Sequence, residues 1–219
     1  MSYIPAIITA SVAFLAAIIA QVVNNYFVIS RDNKNYHKQI HSNLISNYLA
    51  NILRNIYLYN KPFDEKNNIF PDLHNTILLM EKDLKYFNPK LQSRYSIYTV
   101  NRFLSDANSN IEKRLEFEIA FYFLQYAKEI FIKSNIQTEE DFIEMLNYAA
   151  KNFAYLAICT ELEGYNIAKN NLISINQFSI DVLEVYTIEE LSNIMNDYEN
   201  QLAEILILQV ENEIKSVLA

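Results

Sequence analysis

Hydrophobic and polar positions along this chain follow two regimes. From Tyr3 to Asn25 there is no charged side chain, and Ile4 to Ala20 is almost wholly apolar. An α-helix rises about 1.5 Å per residue, so about 20 residues cross a ~30 Å hydrocarbon core. Ile4 to Val23 meets that length, with Thr9, Ser11 and Gln21 tolerable inside it. After Arg31 the apolar residues space out to a helical period. Ile40, Leu44, Tyr48, Ile52 and Tyr59, with Ile45, Leu49 and Ile56 beside them, draw one stripe on one long helix. That helix is expected to leave the membrane directly and to end at Asn60, Lys61 and Pro62, with a loop to Pro71.

Further starts and stops divide the rest. Pro71 and Asp72 open a second helix to about Phe87, Asn88 and Pro89 stop it, and a third covers roughly Lys90 to Ala107. Ser109 with Glu112, Thr138 with Asp141, and Thr187 with Glu190 have capping-box spacing, a hydroxyl at the N-cap and an acid three residues on. The first begins a strongly apolar helix, nearly continuous from Ile119 to Leu124, which predicts the buried centre. The second aligns Phe142, Leu146, Ala149, Phe153 and Leu156. The third aligns Leu191, Met195, Tyr198, Leu202 and Ile205 as one seam. Gly164 marks a helix end, and residues 165–186 are ambiguous between helix and an irregular stretch. The fold class expected is all-α: an N-terminal transmembrane helix (residues 1–30, with a short extracytoplasmic N-terminus) continuing into a cytoplasmic helical bundle (residues 31–219).

Composition sharpens this picture. One glycine and four prolines in 219 residues disfavour sheets and tight hairpins, which rely on glycine at positive φ. The lone cysteine, Cys159, has no internal disulfide partner and suits a reducing compartment. A cleaved signal peptide needs a basic n-region, and Met1 to Pro5 offers none. Arg31, Lys34 and Lys38 follow the apolar segment, so the positive-inside rule points the domain into the cytoplasm, single-pass in the inner membrane. These three cations are the expected membrane-surface residues, with the lipid bilayer as partner.

Within the span, Ala6, Ala10, Ala13, Ala17 and Ala20 recur at steps of four and three, and Asn24 continues the row. Association of helices in lipid depends on close approach through small residues and on polar contacts, so this face is the expected homo-oligomer interface. Charge is split farther on: residues 31–114 carry +5 and residues 115–219 carry −13, giving the net −8. The basic half suits anionic headgroups. The acidic half repels nucleic acid and is the surface expected to dock a soluble protein partner.

Candidate chemistry is sparse. Arg31, then Asp32 to Tyr36, then His37 fits the arginine, four to six residues, histidine pattern of HEPN-type ribonucleases, making Arg31 and His37 the only candidate catalytic pair. A juxtamembrane anchor explains the same residues with fewer demands, so enzyme activity is not the favoured reading. His37 and His41 stand one turn apart, but neither Cys159 nor His74 can be joined to them from sequence as a third ligand, so no metal site is assigned. The acids Glu139, Glu140, Asp141 and Glu144 oppose a helix dipole. Glu161 and Glu163 have no obvious partner. No glycine-rich loop cradles a phosphate, and no cofactor is expected. Cys159 and the aromatic cluster Phe117, Phe121, Tyr122, Phe123 and Tyr126 read as core.

The Ile4 to Val23 segment, its alanine seam, and Arg31 with His37 together give a layout that resembles small bacterial single-pass membrane proteins with a cytoplasmic helical domain. In particular it is similar to the membrane accessory protein of type VI-B CRISPR systems. That resemblance implies an anchoring N-terminal helix, a divergent HEPN-like motif, and an oligomeric phage-defence effector or accessory that perturbs the membrane. A passive tether for a soluble partner and a membrane-bound ribonuclease are the alternatives.

Overall fold

A computed structural model of the chain describes residues 4–58, 72–104, 109–136 and 139–218, with the side chains of 4–11, 57–58 and 109 left aside. Every regular element among them is helical: α1 (Ile4–Ile40), a π-helical turn (His41–Ile45), α2 (Ser46–Leu58), α3 (Leu73–Leu79), a 3₁₀ segment (Met80–Tyr86), α4 (Pro89–Phe103), α5 (Ser109–Lys133), α6 (Glu140–Leu162), α7 (Tyr165–Gln177), a 3₁₀ turn (Asp181–Val185), α8 (Ile188–Asn196) and α9 (Gln201–Leu218). The all-α expectation holds. Among the described residues, one helix is long and apolar enough to cross a membrane.

α5 and α6 form the central pair, joined by a short connection as antiparallel neighbours are. α4 packs on α5, and α7 and α8 pack on α6. From Leu115 to Leu124 every side chain of α5 is buried. A helix covered on every face along that length lies at the centre of the core. One continuous core reaches from Ile40 to Val210.

The chain enters this core through α1 and α2. Residues 12–36 of α1 are exposed, whereas Ile40, Leu44, Ile45, Tyr48, Leu49, Ile52, Leu53 and Ile56 are buried. The expected stripe is therefore real, except that Tyr59 and the loop from Asn60 to Pro71 lie outside the described residues. The π-helical turn was not foreseen. It adds a residue to one turn, which lets the adjacent Leu44 and Ile45 both turn inward. Two side chains pin this junction to the 3₁₀ segment. Asn43 Nδ2 donates to the Tyr86 hydroxyl at 3.0 Å, and the single Tyr48 hydroxyl proton is shared between two acceptors, the Leu79 carbonyl at 2.8 Å and Asp83 Oδ2 at 2.7 Å.

Of the three capping boxes expected, the one at Thr187 is formed, and two further caps stand at Asp72 and Asn88. Asp72 accepts from the Asn75 amide, and Asn88, just before Pro89, accepts from the Leu91 amide. Thr187 and Glu190 complete both halves of the capping box. Thr138 lies outside the described residues, as does the side chain of Ser109; Glu139 stands at the N-cap of α6 and makes no side-chain cap. Gly164, with φ +94°, ends α6 and leads into α7, which resolves the ambiguous segment as helix followed by a 3₁₀ turn.

One expected seam is corrected. Leu191 and Met195 are buried, but Leu202 and Ile205 are exposed, because the helix breaks after Asn196. Asn200 Oδ1 accepts from the Leu202 amide as a new helix starts, and α9 turns Ala203, Leu206, Ile207 and Val210 inward instead. The break also frees Tyr198 to reach Glu118 on α5.

Candidate functional site

Three places carry chemistry: the exposed helix before the core, and two clusters of charge on either side of α5. Along α1, Arg31, Lys34 and Lys38 are all exposed and fall on one stripe at steps of three and four. Ala13, Ala17, Ala20 and Asn24 are likewise exposed along one face; the side chains of Ala6 and Ala10 fall outside those described. Gln21 Nε2 donates to Asn25 Oδ1 at 3.2 Å beside that row. Residues 30–39 make a polar stalk about 15 Å long between the apolar segment and the first buried residue.

The helix does not bring Arg31 and His37 together. At six residues' separation they stand about 9 Å apart along the axis and roughly 120° apart around it. Arg31 lies beside Asp32 at 3.6 Å, and the His37 ring sits against Tyr36. His41, at the π turn, packs edge-on against Phe131, and burial lowers its pKa.

Glu118 defines the first internal cluster. Its side chain is fully buried, yet it faces two guanidiniums: Arg94 Nη1 at 3.0 Å and Arg114 Nε at 3.5 Å. The Tyr198 hydroxyl donates to Glu118 Oε1 at 2.5 Å. Arg114 continues to Glu161 at 3.0 Å and lies over the Tyr198 ring. Arg94 donates to Asn196 Oδ1 at 2.6 Å and lies over the Tyr122 ring. Burial pushes the Glu118 carboxyl upward, while Arg94, Tyr198 and Arg114 pull it back. Two cations and two anions are thus matched across α4, α5, α6 and the α8–α9 connection. This network ties the helices in register through charge, although Arg114 Nε and Glu118 Oε2 complete no hydrogen bond within it.

The second cluster is more open. Glu112 and Glu116, one turn apart on α5, face His74 from the first turn of α3. The His74 Nδ1 atom lies 2.7 Å from Glu116 Oε1, 3.6 Å from Glu112 Oε1 and 3.1 Å from the Tyr98 hydroxyl. Glu116 is buried, whereas His74 and Glu112 keep 29% of their side-chain surface exposed, so the cluster is reached from solvent. Lys113 Nζ holds the other Glu116 oxygen at 2.8 Å, and Arg102 Nε approaches Glu112 at 3.7 Å. Burial pushes the Tyr98 hydroxyl's pKa well above its ordinary value, with Glu116 adding to the effect, so it stays protonated and available as a donor.

Neither cluster was read from the sequence. One signal was present: two glutamates beside the apolar run of α5, flanked by Leu115, Phe117 and Ile119, must be paired if that helix is central. Glu161 proves to have a partner after all, in Arg114.

Cys159 is buried in the core as expected, its thiol donating toward Glu163 Oε2 at 3.7 Å. Burial pushes that thiol up to about 12, while the Tyr155 contact opposes the rise. The reactive thiolate is therefore scarce. Alkylation by iodoacetamide at pH 8 is expected to be at least ~1,000-fold slower in the native protein than in urea; equal rates would show that α6 is open in solution.

No family model matches the chain, and neither does any curated protein or solved structure.

Proposed function

We propose that this protein is a single-pass inner-membrane platform that self-associates through its span and holds a helical domain at the cytoplasmic face. The observation that carries the reading is the division of one continuous helical run. Its N-terminal part exposes Phe14, Leu15, Ile18, Ile19, Val22, Val23, Phe27 and Ile29, while the same run from Ile40 onward is built into the core. Apolar surface of that extent demands cover, and lipid supplies it. The unbroken helix transmits any rotation or tilt of the span to the domain, and the basic stripe Arg31, Lys34 and Lys38 supports a cytoplasmic orientation.

The role we assign to this platform is that of a phage-defence effector or accessory that perturbs the membrane. Its support is the layout of span, alanine row and charged stalk. Close packing along Ala10, Ala13 and Ala17 would assemble several spans into one body. Light scattering after size exclusion in detergent is expected to give a closed oligomer of several subunits. The Ala10→Leu, Ala13→Leu, Ala17→Leu variant should shift toward monomer, and an unchanged mass would remove this face as the interface. Ion leak from vesicles carrying the wild type, lost in that variant, is the expected functional readout. A wild type that is monomeric and leak-free would leave a passive tether.

A further inference from the structure

We propose that His74, Glu112 and Glu116 form a binding site for one divalent first-row transition-metal ion, with zinc the natural probe. The inference is independent of the membrane reading and concerns a different part of the molecule. One imidazole nitrogen and one oxygen from each carboxylate converge, all within 4.8 Å of one another. Ligand atoms bonded at about 2.0–2.2 Å to a common ion stand roughly 3–3.5 Å apart. The distances of His74 Nδ1 from Glu112 and Glu116, 3.6 Å and 2.7 Å, bracket that range. The His74–Glu116 contact must open and the His74–Glu112 distance close slightly to seat the ion.

The surroundings are those of a ligand set held from outside. Glu116 is 1% exposed and presents Oε1 to the cluster while Lys113 holds Oε2. Arg102 flanks Glu112 and lies over the Tyr98 ring. Such outer contacts orient ligating carboxylates. Imidazole with two carboxylates suits zinc, manganese or iron(II). Three protein ligands leave coordination positions for water, and the neutral Tyr98 hydroxyl, 3.1 Å from His74 Nδ1, is placed to hydrogen-bond a group bound there. The partial exposure of His74 and Glu112 gives the ion a way in.

The same atoms without an ion would be an ordinary hydrogen-bonded pair between His74 and Glu116, so the experiment has to separate the two. Full-length protein in detergent, stripped with chelator, is titrated with Zn²⁺ by calorimetry at pH 7.5. One equivalent is expected to bind. Affinity is expected to fall at least ~100-fold in His74→Gln and at least ~10-fold in Glu112→Gln. Glu112 is partly exposed, so its variant remains informative where a change at buried Glu116 would prevent folding. A His37→Gln, His41→Gln double variant should keep the full equivalent. Substituting Co²⁺ should give visible absorption that disappears in His74→Gln. Absence of a saturable equivalent, or binding that survives His74→Gln and fails in the His37, His41 variant, would overturn the proposal and leave the cluster as an ion pair.

Discussion

Removing residues 1–30 is expected to move the protein almost completely from the carbonate-resistant membrane pellet to the soluble fraction. Ten residues between Ile4 and Val23 are Ile, Leu, Val or Phe, and each contributes about −0.3 to −0.6 kcal/mol to insertion. Their sum is roughly −3 to −6 kcal/mol, with nothing charged to set against it. The cut falls ahead of Ile40, the first buried side chain on this helix, so the core is untouched and the shortened domain should melt cooperatively. Full-length protein recovered in the soluble fraction would remove the membrane reading altogether. A shortened protein still in the pellet would show a second membrane contact, for which the exposed Leu202, Ile205 and Leu208 on α9 are the first place to look.

A finer perturbation addresses the same question within the intact chain. Arginine in place of Ile18, near the middle of the apolar segment, costs about 2.5–3.5 kcal/mol of insertion. That is comparable to the whole favourable sum, so partial release from the membrane is the expected intermediate phenotype.

The two regimes of the sequence carried much of the fold because they are local. The apolar segment needs only length, and the stripe from Ile40 to Ile56 needs only period. Caps at Asp72, Asn88 and Thr187 use residues three positions apart, so they too could be read one window at a time. The π-helical turn was not legible: a residue inserted into one turn leaves both Leu44 and Ile45 apolar, as the stripe already had them. The division of α8 from α9 escaped for a related reason. Leu202 and Ile205 continue the spacing of Leu191 and Met195, and only the turn at Asp197 to Asn200 moves them to the other side.

Chemistry was harder to read than fold because its partners are remote. His74 meets Glu116 across 42 positions, and Tyr198 meets Glu118 across 80. The charge split along the chain was legible as a total, but its meaning changes once Glu116, Glu118 and Glu161 are inside or paired. Arg94, Lys113 and Arg114 from the basic half neutralise acids from the acidic half within the bundle. Part of the imbalance is therefore internal glue, and the acidic surface left for a partner is smaller than −13 implies.

Replacing Glu118 with alanine is expected to be the most destabilising single change in the domain. The carboxylate is buried between Arg94 and Arg114, which are 22% and 18% exposed, and it accepts the Tyr198 hydroxyl. Losing Glu118 leaves Arg94 half-buried with no counter-ion and Arg114 with Glu161 alone, at a cost of about 3–5 kcal/mol. For a domain of this size that lowers the melting temperature by roughly 6–20 °C. Glu118→Gln keeps the shape and a hydrogen-bond acceptor, so it should fall between the wild type and alanine. Tyr198→Phe removes one hydrogen bond to a charged group and should cost about 1.5–3 kcal/mol. The decisive comparison is a variant in which Arg94, Arg114 and Glu118 all become methionine or leucine. If the network serves only to hold α4, α5, α6 and the α8–α9 turn together, apolar replacements recover most of the stability lost in Glu118→Ala. Melting the four variants beside the wild type by circular dichroism separates the cases. A triple variant no more stable than Glu118→Ala would mean that the charges also specify how the helices align, which methionine and leucine cannot reproduce.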